Sequence, residues 1–200
     1  MHQYFKIAFL MLCFFACKNN ANDYYSKLAE NRREIDEIFS NESTTPLNDE
    51  ELKTFEGLSY YDVDKNYLIA ARLEKFDTAQ LVEINHTLNR KYPFIRWGRV
   101  HFKLNNDSCH LTVFLTADTA QQGNSMAFVP FKDATNDAET YEGGRYLDIE
   151  LKGAKTEIDF NYAYNPNCAY SYKWSCPLVP EENVLSQAVK AGVKKPSFGH

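Results

Sequence analysis

Alternation of apolar and polar side chains within residues 97–116, strict over 99–104 and 109–113, constrains the fold more than any other feature of the sequence. The alternation is interrupted once, at Asn105-Asn106-Asp107-Ser108, where turn-forming residues cluster. Such a pattern predicts a β-hairpin with one apolar face. With a two-residue turn at Asn106-Asp107, the predicted pairs on that face are Leu104 with Cys109, Phe102 with Leu111 and Val100 with Val113.

A second hairpin is predicted over residues 145–152 and 155–162, with its turn at Gly153-Ala154. This register pairs Ile149 with Ile158 and Leu147 with Phe160. It also sets Asp148 against Asp159 and Glu150 against Glu157, and directly opposed like charges destabilise a sheet. Three kinds of group could offset the repulsion between these carboxylates: a divalent cation, a basic partner, or water together with Lys152 and Lys155.

Further strands are predicted at residues 66–76, 81–87 and 126–131. Helical spacing is found at residues 23–39, and a short helix is predicted at residues 49–55, with Asn48 as N-cap and Glu51 completing a capping box. Short sequential strands favour an antiparallel sheet. We therefore expect an α+β fold, with an N-terminal helical segment on a predominantly antiparallel β barrel or sandwich, in one domain over residues 24–196.

The N-terminus is typical of an export signal. Residues 7–16 are an unbroken apolar run, too short to span a bilayer but suited to a signal peptide. Ala16-Cys17 at its end resembles a bacterial lipobox, although Phe14 stands where Leu is usual. We expect residues 1–16 to be a cleaved signal peptide, Cys17 to be lipidated, and residues 17–23 to tether the domain to the membrane of the bacterial cell envelope. An ordinary cleaved signal and an uncleaved anchor are the alternatives.

The charge balance bears on the partners. The chain has 22 Lys and Arg against 27 Asp and Glu, a net charge of −5, and a nucleic-acid partner needs a basic surface. We therefore expect no nucleic acid. The chain has thirteen Tyr, and those from Tyr141 to Tyr172 lie beside a polar motif. Aromatic rings next to a few polar groups are typical of ligand sites, so we expect this part of the chain to bind an unknown small or polymeric ligand.

Cysteine and histidine give weak signals. Cys109 is expected to be a buried, inert thiol. Cys168 and Cys176 could form a disulfide, remain two structural thiols, or bind zinc, although no Cys-x-x-Cys spacing or nearby His supports a metal. His101 and His110 are predicted diagonal neighbours, about 7–8 Å apart on a solvated face. We predict no metal site and no cofactor.

Arg145 is predicted on the apolar side of its strand, together with Leu147 and Ile149. A guanidinium there needs a partner, most simply Glu139 or Asp133. One interpretation is a buried ion pair that fixes a loop, and the other is an Arg presented to an anionic group of a ligand. Gly143-Gly144, just before the strand, allows a positive φ or a close approach.

Two long motifs resemble a known family. They are FKDATNDAETYEGGRYLD at residues 131–148 and IDFNYAYNPNCAYSYKWSCPLVPEENVLSQAVKAG at residues 158–192. They are similar to the prokaryotic proteins grouped as domain of unknown function sixteen-eighty-four, and the likeness extends over about residues 24–194. Asp137 stands where that family usually has Gly, and Val179 where it has Pro.

The resemblance implies no known activity, but it narrows the candidate ligand-binding residues. These are Asp133, Thr135, Glu139, Tyr141, Arg145, Asp159, Asn161, Tyr164 and Asn165, with Cys168 and Cys176 as the candidate disulfide. Our first hypothesis is a non-catalytic, lipid-anchored binding domain. The alternatives are a hydrolase that uses Asp133, Glu139 or Asp159 with Cys168 or Thr135, and a structural envelope protein. No nucleophile–base motif is present.

Overall fold

A computed structural model describes the backbone of residues 14–116 and 126–197, with side chains from residue 22 onward. The predicted signal peptide therefore lies mostly outside the described residues, as does the side chain of Cys17. The helices are α1 (Phe14–Ser40) and α2 (Asp49–Lys53), and short 3-10 turns lie at Lys65–Tyr67, Thr87–Asn89, Phe160–Tyr162, Asn167–Ala169 and Glu181–Asn183. The strands are β1 (Leu68–His86), β2 (Arg90–Leu104), β3 (Asp107–Thr116), β4 (Met126–Phe131), β5 (Arg145–Glu150) and β6 (Lys155–Asp159).

The six strands form one antiparallel sheet in the order β5-β4-β3-β2-β1-β6, which curls into a nearly closed, barrel-like shape. Alternate residues along the strands face the interior of the curled sheet, where the main apolar core lies. Phe102 and Phe160 both belong to this core, with ring centroids 5.7 Å apart. The predicted α+β class, with a helix on a mostly antiparallel sheet, is confirmed.

Helix α1 packs against the segment that follows it and against Tyr170, and its Tyr24 hydroxyl reaches Asp159 at the end of β6. The helix begins earlier than the predicted start at Asp23. Its thin apolar stripe buries Leu28 and Phe39. Phe39 stacks on Phe55 and meets Tyr170 edge-on, in a small second core. The capping box at Asn48 and Glu51 is present as predicted. Within the described part of the chain, no helix is both long and apolar enough to cross a membrane.

The hairpin of β2 and β3 is confirmed, but its register differs from the prediction. The turn lies at Asn105-Asn106, so that Leu104 pairs with Asp107 and Phe102 with Cys109. Both Asn residues have positive φ, 52° and 71°, as a type I′ turn requires, and Asn tolerates that region better than most residues. Because the shift is two residues, the apolar face is unchanged.

The shifted register also changes the histidine pair. His101 and His110 are directly opposite each other rather than diagonal, with ring centroids 6.1 Å apart. His101 Nε2 lies 3.1 Å from Glu74 Oε2. No group of three or more potential metal-binding side chains is found in the part of the chain that the structure describes.

The predicted second hairpin is wrong. Strand β5 pairs with β4 and strand β6 pairs with β1, so that the two lie at opposite edges of the sheet order. Leu147 and Ile158 still face the core, because alternation determines which face a residue takes and not which strand it pairs with. Asp148 is opposite Phe128, and Glu157 is opposite Ala70. The opposed carboxylates, and with them the argument for a cation or a basic partner, are absent.

Strand β1 joins the two predicted strands of residues 66–76 and 81–87 into one. Its register against β2 shifts between Lys75 and Gln80. A Cβ on Gly98 of β2 would lie 2.5 Å from the Glu74 carbonyl oxygen. The irregularity therefore requires glycine at this position, where the two backbones approach each other closely.

The turn can be tested by substitution. Asn106→Ala should lower the free energy of unfolding by about 1 kcal/mol, because the left-handed backbone conformation at this position is less favourable for Ala than for Asn. The matched change Asp107→Ala, which removes an exposed hydrogen bond from Gln187, should cost about half as much or less. Denaturant unfolding measures both. A larger loss for Asp107→Ala would instead favour the turn at Asn106-Asp107.

Candidate functional site

Arg145 and Asp133 form a fully buried ion pair. Arg145 Nη2 donates to Asp133 Oδ2 at 2.8 Å, and both side chains have 0% exposure. Arg145 also donates to the backbone carbonyls of Val189, Ala191 and Val193, and its guanidinium lies 5.3 Å from the centre of the Phe131 ring. This geometry matches the ion-pair interpretation, with Asp133 as the partner.

The second oxygen of Asp133 organises the loop before β5. Asp133 Oδ1 accepts hydrogen bonds from the amide and the hydroxyl of Thr135, at 2.8 and 2.6 Å, and from the amide of Val189 at 3.1 Å. Thr135 in turn contacts Thr140 through their hydroxyls. A carboxylate with this many donors is a structural anchor. The arrangement leaves Asp133, Thr135 and Arg145 without an opening to a ligand.

Two details of this loop explain the sequence pattern. Asp137, which stands where the family usually has Gly, has a φ of +73°, a conformation that Gly adopts at little cost. Gly144 has a φ of +97°, and a Cβ there would lie 2.7 Å from the Phe131 carbonyl oxygen and 2.6 Å from Val179 Cγ2. The expected positive φ and close approach are thus both found at Gly144.

Glu139 faces solvent beside this loop and does not meet Arg145. Its carboxylate accepts from the Tyr61 hydroxyl at 3.2 Å and pairs with Lys190 at 2.9 Å. The Lys190 hydrogen bond holds the pKa of Glu139 below its usual range. Exposed ion pairs of this kind add little stability. The Glu139–Lys190 pair connects the loop to the C-terminal segment.

The other polar candidates are also joined to backbone. Asp159 accepts from the Asn161 amide and from the Tyr24 hydroxyl of α1, at 3.0 and 2.9 Å. Asn161 bridges to both backbone groups of Asp64. Asn165, buried, donates to the Lys194 carbonyl and to the Tyr170 hydroxyl. The carboxylates proposed for a hydrolase therefore belong to three separate networks.

Cys168 and Cys176 are free, buried thiols, so the predicted disulfide is not formed in the structure. The Cys168 amide donates to Cys176 Sγ at 3.1 Å, and the Tyr141 hydroxyl lies 3.9 Å from Cys168 Sγ. The hydrogen bond from Cys176 lowers the pKa of Cys168, and the same bond raises that of Cys176. Cys109 is a third free thiol, buried as predicted, and burial raises its pKa.

One predicted residue, Tyr164, lies at an open cleft on the outer face of the sheet. The cleft has a volume of about 380 Å³, within the range of small-molecule sites. Its described lining residues are mostly apolar and aromatic: Phe94, Thr116, Met126, Phe128, Tyr146, Asp148, Tyr164, Pro166 and Pro177. We call this set the aromatic cleft.

Strand alternation explains why Arg145 and the aromatic cleft are separate. Arg145, Leu147 and Ile149 face the interior, so their neighbours Tyr146 and Asp148 face outward. Tyr164 joins this outer face through two backbone hydrogen bonds with Tyr146, at 2.8 and 3.0 Å. The motif that carries Arg145 therefore contributes to the cleft through the residues next to it.

Asp148 is the charged residue of the aromatic cleft among those described. Its side chain is at the solvent-facing rim, and Oδ2 accepts a hydrogen bond from the Tyr164 hydroxyl at 2.9 Å. Desolvation by the surrounding apolar surface raises the pKa of Asp148, while the Tyr164 bond opposes that shift. Burial and the nearby carboxylate together raise the pKa of Tyr164, so its hydroxyl keeps its proton and remains a donor.

Three other cavities are of comparable or larger size, and one of them, of about 330 Å³, is lined only by polar and charged side chains between Glu150 and Glu157. The other two are also less suited to a ligand. A groove of about 340 Å³ follows residues 178–182, and the one cation that lines it among the described residues, Arg96, is used in donating to both oxygens of Glu182. A wider depression of about 640 Å³ lies between α1 and α2, and Glu42, Asp49 and Lys53 line it on exposed surface. Each has a single aromatic residue among its described lining residues, Phe114 and Phe55 respectively, whereas the aromatic cleft has four.

The sequence contained part of the signal for the aromatic cleft. Outward alternation on β5 placed Tyr146 and Asp148 on one face, although the predicted hairpin assigned Asp148 a different neighbour. Phe94 and Phe128 could not be assigned, since they lie on β2 and β4: Phe94 contacts Phe128, and Phe128 contacts Tyr146 because β4 pairs with β5.

The fold and the site define a mostly β domain, in which an N-terminal helix precedes a nearly closed antiparallel sheet with an aromatic cleft on its outer face. The model of the family described as Protein of unknown function (DUF1684) matches residues 53–194. The chain belongs to this family, which confirms the resemblance of its motifs.

A solved structure with the same fold supports this assignment. The chain is 36% identical to an uncharacterised protein from gene locus rrnAC0354 of Haloarcula marismortui, whose structure was determined by solution NMR. The match covers 88% of this chain and 96% of that chain, with a TM-score of 0.69. No curated protein matches the chain.

The Arg145–Asp133 pair can be tested through stability. Arg145→Met should lower the free energy of unfolding by about 3–5 kcal/mol, because it leaves the Asp133 carboxylate buried without its cation. Lys190→Met, the matched change at the exposed Glu139 pair, should cost less than about 1 kcal/mol. Denaturant unfolding with a common m-value measures both. Similar small losses in the two variants would contradict the anchoring role of Arg145.

Proposed function

We propose that this protein is an exported lipoprotein whose β domain binds a small molecule in the aromatic cleft. The observation that carries the proposal is the cleft itself: apolar and aromatic side chains line an open cleft of about 380 Å³ that has one carboxylate at its rim. Ligand sites combine this kind of wall with a few polar groups that set the orientation of the ligand.

The same cleft supports binding rather than hydrolysis. Its described lining residues include no Cys, His, Lys or Ser, and Asp148 is the only carboxyl among them. Acid–base or nucleophilic chemistry needs a second group within hydrogen-bond reach of the first. The Tyr164 hydroxyl is within reach of Asp148, but its raised pKa makes it a poor base at neutral pH.

The cleft is also held in shape before any ligand arrives. The Tyr146 hydroxyl donates to the Pro177 carbonyl, and the Tyr146 ring packs edge-on against Phe128 and Tyr164 with centroids 4.8 and 5.8 Å apart. Tyr146 is 5% exposed. A preformed wall lowers the ordering cost of binding.

Location rests on the N-terminal sequence. The apolar run of residues 7–16, followed by Ala16-Cys17, supports cleavage before Cys17 and attachment of lipid to its thiol. Residues 17–23 would then connect the lipid to the domain, as the first part of α1 in the processed chain. On this proposal, the aromatic cleft lies outside the cytoplasm, at the membrane of the bacterial cell envelope.

Binding can be tested with a fragment library of mixed charge and a cleft-filling variant. Met126→Trp should occlude the cleft and abolish the thermal shifts of fragments that stabilise the wild type, whereas Met126→Leu, which keeps the volume, should retain them. Met126 is 38% exposed, so the larger ring does not disrupt the core. If no fragment stabilises the wild type, or if both variants respond as the wild type does, the proposed site is wrong.

Lipidation can be tested in a bacterium that processes lipoproteins. Cells fed an alkyne fatty acid should label the wild type and Cys13→Ser but not Cys17→Ser, because the thiol of Cys17 is the expected attachment atom. Only labelled protein should remain with membranes after a high-salt wash. Label on Cys17→Ser, or none on the wild type, would contradict the lipoprotein assignment.

A further inference from the structure

We infer that the aromatic cleft selects a compact organic cation, such as a quaternary ammonium group, rather than a neutral or anionic ligand. The inference rests on the proposed binding function and names the chemical class of its ligand. Its basis is the juxtaposition of the Asp148 carboxylate with rings from β2, β4, β5 and the segment after β6.

The first argument is charge. No cationic side chain lines the cleft among the described residues, and Asp148 has no ion-pair partner within that part of the chain. Its polar contact is the single hydrogen bond from the Tyr164 hydroxyl. A carboxylate beside apolar surface attracts a cation more strongly than one in bulk water, and the same charge repels an anion.

The second argument is the arrangement of the rings. Phe94, Phe128, Tyr146 and Tyr164 form a continuous row, with successive centroids 5.8, 4.8 and 5.8 Å apart. Phe128 and Tyr146 meet at 74°, and Tyr146 and Tyr164 at 87°. Tyr146 and Phe94 are only 5% and 7% exposed, so the partly exposed rings of Phe128 and Tyr164 are the ones that a cation can reach. Groups of aromatic rings of this kind bind quaternary ammonium ligands.

The third argument is the shortage of free polar groups. The Tyr146 hydroxyl is used by the Pro177 carbonyl, and the Tyr164 hydroxyl is used by Asp148. A ligand with many hydroxyls would lose its water without recovering its hydrogen bonds in such a cleft. An alkylated ammonium group has few or no hydrogen-bond donors to leave unpaired in the cleft, and its charge is offset there by the Asp148 carboxylate and the ring faces.

The test uses three probes of one shape: choline, its neutral isostere 3,3-dimethylbutan-1-ol, and the anion 3,3-dimethylbutanoate. Dissociation constants for the full-length protein are measured by ligand-observed NMR titration. We expect choline to bind at least about tenfold more tightly than the alcohol, and the anion to bind more weakly than either.

Variants separate charge from shape. Asp148→Asn keeps the acceptor for Tyr164 and should weaken choline binding about tenfold while leaving the alcohol unchanged. Glu150→Gln, a carboxylate on the same outward face of β5 that pairs with Lys152 and does not line the cleft, should leave both unchanged. Met126→Trp should abolish binding of both probes.

The outcomes separate this inference from the proposal on which it rests. Equal affinities for the three probes, or an Asp148→Asn variant that binds choline like the wild type, would overturn the cation assignment. The same holds if choline does not bind although other fragments occupy the cleft, in which case the proposed binding function stands. If neither choline nor any library fragment binds the wild type, both the cation assignment and the proposed binding function are wrong.

Discussion

The guanidinium of Arg145 joins the sheet to the C-terminal segment. It is fully buried, pairs with Asp133, and donates to three backbone carbonyls between residues 189 and 193. Asp133 in turn accepts from Thr135 and Val189. Breaking such a buried ion pair is strongly destabilising, because removing one partner leaves the other charge buried without compensation. The loop before β5 and the end of the domain therefore depend on one interaction.

This anchoring gives the aromatic cleft its shape indirectly. The C-terminal segment also runs along the outer face of the sheet, where Leu178 hydrogen-bonds to Asn85 and Asn183 bonds to backbone of β3 and β4. Pro177, at the start of that segment, receives the Tyr146 hydroxyl and lines the cleft. The polar motif thus acts as a structural support, while the residues beside it line the aromatic cleft.

The candidate ligand-binding residues divide between the buried polar motif and the aromatic cleft. Asp133, Thr135, Arg145, Asn161 and Asn165 were chosen because polar groups in a specific motif suggest a site, yet each is buried and bonded within the fold. Their specificity reflects backbone that must be held in one conformation. Tyr164 is the exception, because its hydroxyl faces Asp148 at an open cleft. Phe94 and Phe128 could not be found in advance, since neither lies near a polar motif.

Local rules in the sequence determined several features correctly. Alternation predicted the strands and their inward faces, Asn48 and Glu51 predicted the cap of α2, and the apolar side of Arg145 required a carboxylate partner. Tertiary structure decided which strands pair: β5 joined β4 and β6 joined β1, against the predicted hairpin. The physical reason is that a period of two specifies the face of a strand but not its neighbour. The aromatic cleft depends on those neighbours, so only the folded sheet brings its rings together around Asp148.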